Sequence, residues 1–239
     1  MSEAMYGSHA DLYDAIYAEK DYVAEAARLH ALLAERGVAD GARIAEVACG
    51  TGKHLAELRR WYQVSGTDLS PEMLKIAQGR LPGVSMTCAD MRTPPSEGAL
   101  DAVLCLFSSI GYLHGAAALD AGLRAFAAGL RPGGVVIVEP WIDPGSFREG
   151  HVYSQHVDGP ALSLTRMSAG RREGDLSVIE FHWLVGREGQ GIEHFVETHA
   201  LWLCARDAFG AALDRAGFDA EYLDAGLSAG RGLWVGRRR

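Results

Sequence analysis

The sequence predicts an α/β fold: a doubly wound, mostly parallel sheet with helices on both faces, an N-terminal helical segment and an inserted antiparallel β flap. Three observations support this prediction. Between residues 43 and 139, short apolar runs alternate with helical stretches, which is typical of a parallel sheet. Residues 161–203 contain three long alternating stretches joined by glycine-bearing turns, which indicates an antiparallel meander added to the sheet. The chain opens with helical periodicity.

Local patterning justifies each element in turn. Residues 11–36 have apolar side chains at helical spacing, with Asp21 suited to cap a helix and Gly37 to end it. Strands are then expected at 44–48, 64–67, 84–88, 102–107 and 135–139, and helices at 53–61, 71–80 and 116–130. After the flap, a helix at 205–216 leads to strands at 220–223 and 233–235.

We expect these elements to form one domain over residues 1–239, because no repeat, low-complexity segment or long linker divides the chain. A chain of this length buries enough surface to fold without a disulfide or a metal. The expected parts are a helical cap (1–40), a ligand-binding core (41–141), the flap insertion (142–204) and a return to the core sheet (205–239).

Composition narrows the possible partners and the compartment. The chain has 23 basic and 31 acidic residues, a net charge of −8, so nucleic acid and anionic membranes are poor partners. The four cysteines lie far apart without metal-type spacing and are expected to be reduced and buried. The N-terminus lacks a signal-peptide pattern and no apolar stretch approaches a membrane span. We therefore expect a cytoplasmic protein that binds no metal.

A glycine loop after the first strand is the most informative segment. Residues 44–55 read Ile-Ala-Glu-Val-Ala-Cys-Gly-Thr-Gly-Lys-His-Leu, a strand that turns into a helix. Gly50 and Gly52 allow a tight turn and a close approach to a ligand at the positive end of the helix. A dinucleotide fingerprint requires glycine where the chain has Leu55, and a P-loop requires Ser or Thr where it has His54. Neither phosphate-binding motif fits.

Acidic residues lie at or near the end of each of the first three strands. Glu46 lies within the first strand, where it can accept hydrogen bonds from the loop or from a ligand ammonium, and Asp68 ends the second, 18 residues after Gly50. That is the spacing at which an open parallel sheet places a carboxylate against ribose hydroxyls. Asp90 follows the third strand and is suited to accept from an adenine amine. Each acid alone could cap a helix, but three in register indicate a ligand site at the carboxyl ends of the strands.

Glu46-Val-Ala-Cys-Gly-Thr-Gly52, Asp68 and Asp90 resemble the first three cofactor-binding motifs of class I S-adenosylmethionine-dependent methyltransferases, although that family usually has glycine at the position of Ala48. The resemblance implies a Rossmann-like sheet and S-adenosylmethionine as cofactor. It implies Glu46 near the methionine moiety, Asp68 on the ribose and Asp90 at the adenine. The full implied set of cofactor contacts is Glu46, Ala48, Gly50, Gly52, Asp68, Leu69, Asp90, Met91 and Leu106.

A narrower resemblance extends over almost the whole chain. Seven segments in order, at 11–14, 20–22, 47–52, 90–92, 107–113, 133–141 and 230–236, are similar to N,N-dimethyltransferases that act on TDP-linked 3-amino-deoxysugars in macrolide biosynthesis. The resemblance implies transfer of one or two methyl groups to the sugar amine, and a homodimer. It leaves the identity of the sugar open.

Candidate catalytic residues are Tyr112, Tyr13, Tyr6 and Glu139. Tyr112 follows the fourth strand, where methyltransferases place catalytic groups, but a phenol pKa near about 10 suits hydrogen bonding better than proton acceptance. His114 is the alternative base, and Tyr17 is a weaker pocket candidate. Alignment of the reacting centres supplies more of the rate than a single proton-transfer group. We therefore expect no single side-chain deletion to abolish turnover.

Candidate substrate contacts are Tyr22, Arg231, Trp141 and Ser108. Arg231 lies between two glycines, which leaves its guanidinium free to reach two phosphate oxygens. Three other functions remain possible from the residues: methylation of a non-nucleotide natural product, cofactor binding without turnover, and a nicotinamide oxidoreductase, which Leu55 disfavours.

Overall fold

The computed structural model describes residues 9–227 and 231–239 and has the α/β architecture expected from the sequence. Its elements in chain order are α1 (Ala10–Ile16), α2 (Tyr22–Glu35), β1 (Arg43–Val47), α3 (Lys53–Leu58), β2 (Gln63–Asp68), α4 (Pro71–Arg80), β3 (Ser85–Cys88), β4 (Leu100–Cys105), a 3-10 turn (Ser109–Tyr112), α5 (Ala116–Gly129), β5 (Leu130–Val138), β6 (Val152–Asp158), β7 (Leu162–Glu173), β8 (Leu176–Arg187), β9 (Gly191–Trp202), α6 (Arg206–Arg215), β10 (Phe218–Leu223) and β11 (Leu233–Arg238).

The central sheet has seven strands in the order β10-β11-β5-β4-β1-β2-β3. The five strands from β5 to β3 are parallel, whereas β11 and β10 run antiparallel at one edge. The strand order reverses between β1 and β4, and open α/β sheets bind ligands at such a switch point, outside the carboxyl ends of the strands. The topology therefore places the glycine loop after β1 at the expected ligand crevice.

Alternating side chains of the parallel strands build two cores, one on each face of the sheet. On β4, the fully buried Val103 packs in a cluster with Phe126 of α5, and its neighbour Leu104 packs in the opposite cluster with Leu33 of α2. A strand that is buried on both faces has a nearly continuous apolar sequence, which explains the uninterrupted runs in the central strands.

The flap differs from expectation in two respects. It forms a separate antiparallel sheet of order β6-β7-β8-β9, where we expected an extension of the main sheet, and it has four strands where we expected three. The unexpected strand is β6, an edge strand whose residues are nearly all exposed, so its sequence carries no alternating pattern. The flap is held to the N-terminal segment because Leu12 and Ile16 of α1 pack against Leu164 and Trp183.

The predicted helix over 11–36 is in fact two helices, α1 and α2, separated by residues 17–21. Asp21 caps α2 by accepting a hydrogen bond from the Ala24 N–H at 2.8 Å. A capping residue has non-helical backbone, so the helix must break where Asp21 begins a new one. Among the described residues, no helix is long and apolar enough to cross a membrane.

Candidate active site

The glycine loop is formed by a run of left-handed backbone conformations. Ala48, Gly50 and Gly52 have φ of 56°, 54° and 74°, and only glycine adopts such angles without steric cost. A Cβ at Gly52 would lie 3.1 Å from Leu81 and 3.2 Å from Ala77, so α4 also requires glycine there. Ala48 keeps the turn, but with a strain that glycine would avoid.

The loop is fixed by contacts from β2 and from the N-terminal segment. Asp68 accepts hydrogen bonds from the Gly50 N–H at 2.8 Å and from the Ser70 N–H at 2.9 Å. Burial raises the pKa of Asp68, while these backbone hydrogen bonds oppose the shift. Thr51 donates to Asp14 of α1 at 2.8 Å. A carboxylate has about four acceptor positions, so Asp68 can hold the loop and still accept from a ribose hydroxyl.

Glu46 is buried beneath the loop, and only one of its two carboxylate oxygens has a polar partner among the described residues. Its Oε1 lies 3.2 Å from His54 Nδ1, while its Oε2 is buried without a hydrogen-bond partner among the described residues. Burial raises the pKa of Glu46, and the charge of His54 counteracts that shift. An orphaned buried carboxylate oxygen is costly unless a ligand satisfies it, and the ammonium of a methionine moiety is a group that would do so.

His54 connects Glu46 to the helical cap. Its Nε2 lies 2.7 Å from Glu25 of α2, and Lys20 also contacts Glu25. Burial alone would lower the pKa of His54, but the charge of Glu46 and the hydrogen bonds to both acids outweigh burial and raise that pKa to about 9. Hence His54 carries a charge at neutral pH between two carboxylates. Neither His54 nor Glu25 was expected from the sequence to be a site residue.

A cavity of about 1120 Å³ extends from the glycine loop to the inner face of the flap. Its wall at the carboxyl ends of the strands contains Asp90, the expected adenine contact. Asp90 forms an ion pair with Arg92 at 2.5 Å, and this pairing lowers the pKa of Asp90. Ten of the predicted site residues line the cavity: Tyr13, Ala48, Gly50, Asp68, Leu69, Asp90, Met91, Tyr112, Trp141 and Arg231. One continuous space therefore joins six of the predicted cofactor contacts to the predicted acceptor contacts, while Glu46 lies beneath the loop and not in the cavity wall.

The aromatic rings of Tyr13, Tyr17 and Phe107 form one part of the cavity wall, the ring wall. Tyr17 lies between Tyr13, at a ring-centroid distance of 4.8 Å, and Phe107, at 4.9 Å. Burial, together with the neighbouring tyrosines, raises the pKa of Tyr13 well above its usual value. Tyr13 therefore stays protonated at neutral pH and can orient an amine by hydrogen bonding, but it is a poor base.

Glu139, a predicted catalytic residue, holds the loop that follows β4. It is buried, lies outside the cavity wall, and accepts from the Phe107 N–H at 2.7 Å. Phe107 and Ser108 both have left-handed φ, 54° and 62°, and such strain persists only where surrounding contacts enforce it. Ser108 is held in turn by the Pro140 carbonyl at 2.8 Å and by Arg231 at 3.1 Å. Glu139 thus shapes the loop after β4 instead of facing an acceptor amine.

The other predicted residues lie behind the cavity wall or outside the described chain. Gly52 and Leu106 are covered by neighbouring elements, and Tyr22 packs edge-on against His54 at 4.9 Å. Tyr6 precedes the described residues. The alternative base His114 lines the cavity but contacts the Ala200 carbonyl at 2.8 Å.

Arg231 is positioned by its neighbours at the rim of the cavity. Its guanidinium carbon lies 5.2 Å from the centroid of the Trp141 ring, and one guanidinium nitrogen lies 3.9 Å from Glu139. Trp141 is itself fixed by donating to Ser177 at 2.7 Å. Across the described residues, no group of three or more His, Cys, Asp or Glu side chains could hold a metal ion.

Fold and crevice thus define the class of protein, an open α/β fold with a ligand crevice at the switch point of its sheet. Comparison with known proteins makes the assignment specific. Residues 44–134 match the family described as a methyltransferase domain. A dTDP-3-amino-3,6-dideoxy-alpha-D-glucopyranose N,N-dimethyltransferase from Streptomyces fradiae is 42% identical over 96% of this chain and 91% of its own length.

Two solved structures support the same assignment. Streptomyces venezuelae DesVI superposes with a TM-score of 0.91 at 38% identity, covering 97% of this chain and 98% of its own. The S-adenosylmethionine-bound amino pentose methyltransferase CalS10 from Micromonospora echinaspora superposes with a TM-score of 0.83 at 36% identity, covering 92% of each chain. The chain belongs to the S-adenosylmethionine-dependent methyltransferases, in the branch that these sugar N-methyltransferases represent. A nicotinamide oxidoreductase is thereby excluded.

Proposed function

We propose that this enzyme transfers methyl groups from S-adenosylmethionine to the amine of a dTDP-linked amino-deoxysugar. The observation that carries the proposal is the single cavity that joins the glycine loop to the ring wall and to Arg231. Its fit to the cofactor rests on the buried, unpartnered Oε2 of Glu46. The full-length similarity to an aminosugar nucleotide N,N-dimethyltransferase supports the substrate class.

The proposed roles follow from where each residue lies. Glu46 binds the cofactor ammonium, Asp68 the ribose and Asp90 the adenine, with the backbone of Gly50 beneath the cofactor. S-adenosylmethionine supplies an electrophilic methyl group for an in-line displacement. The protein's main task is to align the acceptor nitrogen with that methyl, a contribution that reaches about 7–11 kcal/mol in favourable systems. No single side-chain deletion is expected to remove turnover.

On the acceptor side, we propose that the ring wall holds the sugar and that Arg231 binds the diphosphate. A guanidinium can donate to two phosphate oxygens at once, and the contact with Trp141 holds it at the rim. Tyr13 and Tyr112 face the cavity and orient the amine. Ser108 and Glu139 act indirectly, by holding Arg231 and the strained loop. We propose that Tyr22 also acts indirectly, by packing against His54.

We further propose that the enzyme is a cytoplasmic homodimer that pairs through the outer face of the flap. All four cysteines are free thiols, as is usual in a reducing compartment. The outer face exposes large apolar side chains, for which a second copy of the chain is a suitable cover. These exposed residues are Val152, Met167, Leu184, Ile192 and Val196. Sedimentation of the pure protein at several concentrations tests the assembly, and a monomer at all of them would contradict it.

Mass spectrometry of a dTDP-3-amino-3,6-dideoxyhexose incubated with enzyme and S-adenosylmethionine tests the function directly. We expect a sugar nucleotide that has gained one methyl group and then a second, with equal release of S-adenosylhomocysteine. The free aminosugar, without the nucleotide, is the matched control and should react poorly because Arg231 then has no diphosphate to bind. Equal turnover of both would favour a non-nucleotide acceptor, and release of no S-adenosylhomocysteine with any amine would leave only cofactor binding.

A further inference from the structure

Three polar side chains form a chain from the flap to the acceptor side of the cavity. The Tyr112 hydroxyl lies 2.7 Å from His199 Nδ1, and His199 Nε2 lies 3.3 Å from Glu197 Oε1. The same Glu197 oxygen accepts from the indole N–H of Trp183 at 3.0 Å. His199 is 8% exposed and Glu197 is 2% exposed. Both of them line the cavity, as does Tyr112.

We propose that Glu197, His199 and Tyr112 form a proton relay that deprotonates the acceptor ammonium, a step that rests on the proposed N-methyl transfer. An aminosugar is largely an ammonium at neutral pH, and an ammonium has no lone pair with which to attack a methyl group. A proton acceptor that faces the amine is therefore required before each methyl transfer.

The contacts of His199 fix the direction of the relay. Because Glu197 can only accept when ionised, the neutral imidazole carries its proton on Nε2 and presents the Nδ1 lone pair to the Tyr112 hydroxyl. The phenol can then donate its proton to Nδ1 while its oxygen accepts one from the substrate. Trp183 holds Glu197 in place from β8.

The step balances without a free phenolate. One N–H bond of the ammonium breaks and an O–H bond forms on Tyr112, while the original phenol O–H bond breaks and an N–H bond forms at Nδ1 of His199. The products are a neutral amine and an imidazolium beside Glu197. Once the methylated product has left, the same path in reverse releases the proton to bulk solvent.

The relay removes the difficulty that a phenol alone presents. A phenol has an ordinary pKa of about 10 and an imidazole one of about 6.5, so the imidazole is the better final acceptor near neutral pH. Among the described residues, the charged or titratable groups near the relay include Glu197 from its own strand, Tyr112 from the turn, Tyr13 from α1, which interacts electrostatically with Tyr112, and Arg166 from β7. Arg166 lies 4.8 Å from the ring of Phe181, which in turn packs 5.3 Å from His199.

Steady-state kinetics of His199→Asn, Tyr112→Phe and the double variant test the relay. Asparagine keeps a hydrogen-bonding group near the Nδ1 position but cannot take up a proton. We expect kcat at neutral pH to fall about 10²-fold in each single variant, with little change in KM. The double variant should be no slower than the slower single variant, because both substitutions interrupt one path. The deficit should shrink as pH rises and bulk solvent deprotonates the amine.

Controls separate this role from a structural one. His151→Asn applies the same substitution elsewhere in the flap segment, where the histidine packs against Tyr153 at 4.3 Å, and should leave kcat and its pH profile unchanged. Calorimetry with S-adenosylhomocysteine should give the same affinity for every variant. Equal kcat and an unchanged pH profile in His199→Asn would overturn the relay, as would multiplicative losses in the double variant.

A measurement on the wild-type protein avoids any folding defect of the variants. Nitrogen-15 NMR of the imidazole side chains reports which ring nitrogen of His199 carries the proton when the ring is neutral. The relay requires the proton on Nε2, and a proton on Nδ1 would overturn it. Wild-type turnover is measured first: its absence would overturn the proposed function and the relay with it, whereas turnover with unaltered variants overturns the relay alone.

Discussion

Substitution of Glu46 by glutamine should weaken cofactor binding without unfolding the protein. Glutamine has the same shape, so its amide oxygen can still accept from His54 Nδ1, which lies 3.2 Å from Glu46 Oε1. The substitution removes the negative charge and replaces the unpartnered Oε2 with an amide nitrogen. An amide N–H cannot accept from a ligand ammonium and instead opposes it with another donor.

The size of the effect follows from that single contact. A hydrogen bond to a charged group contributes about 1.5–3 kcal/mol, which corresponds to an increase of about 10- to 150-fold in Kd. The fold should be retained, because burial already raises the pKa of the Glu46 carboxyl, although the protonated His54 loses one of its two carboxylate partners. Glu25 also continues to pair with His54 at 2.7 Å.

Isothermal titration calorimetry with S-adenosylhomocysteine measures the change, and thermal unfolding of the free protein checks the fold. Glu173→Gln is the matched control, because that carboxylate is exposed, pairs with Arg171 at 2.7 Å in the flap and does not line the cavity. An unchanged Kd for Glu46→Gln would refute the assignment of the buried oxygen to the cofactor ammonium.

Three further changes have expected outcomes. Ala48→Gly should raise the free energy of unfolding by about 0.5–1 kcal/mol, because φ at that position is 56° and glycine relieves left-handed strain at some entropic cost. Urea unfolding measures this change, and a destabilised variant would contradict the prediction. The pKa of His54 is raised to about 9 in the folded state, from about 6.5 when unfolded. The contribution of His54 to the free energy of unfolding is therefore full below about pH 6.5 and is lost as pH rises through about 9. Urea unfolding across that range should show the decline in wild type and a flatter profile in His54→Gln. Arg231→Ala should raise KM for the nucleotide-sugar about 10-fold or more, because a charge-assisted contact is lost. The affinity for S-adenosylhomocysteine should not change. An unchanged KM would place the diphosphate elsewhere.

The cofactor half of the site was predictable because its signals are local. Asp68 is the last residue of β2, Asp90 lies two residues beyond β3, and the glycine loop directly follows β1, so strand assignment alone brings them to one edge of the sheet. The tight turn at Gly50 and Gly52 was equally visible, since left-handed backbone requires glycine.

The acceptor half depends on contacts distant in sequence, and the sequence carried less information about it. His199 and Glu197 face the cavity only because β9 pairs with β8 in one register and the flap closes over the turn at Tyr112, which is 87 residues away in sequence from His199. Their spacing of two residues on an alternating strand indicated a shared face, but not which face lay inward. His54 was considered only as a mismatch to a phosphate-binding motif, although its position in the first turn of α3 places it beside Glu46.

Glu139 illustrates a different limit. An acid at the end of β5 was correctly located in the sequence, yet the structure places its carboxylate on the Phe107 N–H at 2.7 Å. The need for that brace arises from two consecutive left-handed residues, neither of them glycine, and no local pattern predicts strain of this kind. The break between α1 and α2, by contrast, was visible in the sequence, because the cap Asp21 lies in the middle of the predicted helix.

We propose above all that the cofactor and the acceptor amine meet in the cavity between the glycine loop and the flap. A crystal structure of the ternary complex with S-adenosylhomocysteine and a dTDP-aminosugar tests this most directly. We expect the sugar nitrogen between the cofactor sulfur and the Tyr112 hydroxyl, with the diphosphate on Arg231. A nitrogen that points out of the cavity, or a nucleotide bound on another face of the protein, would contradict the account.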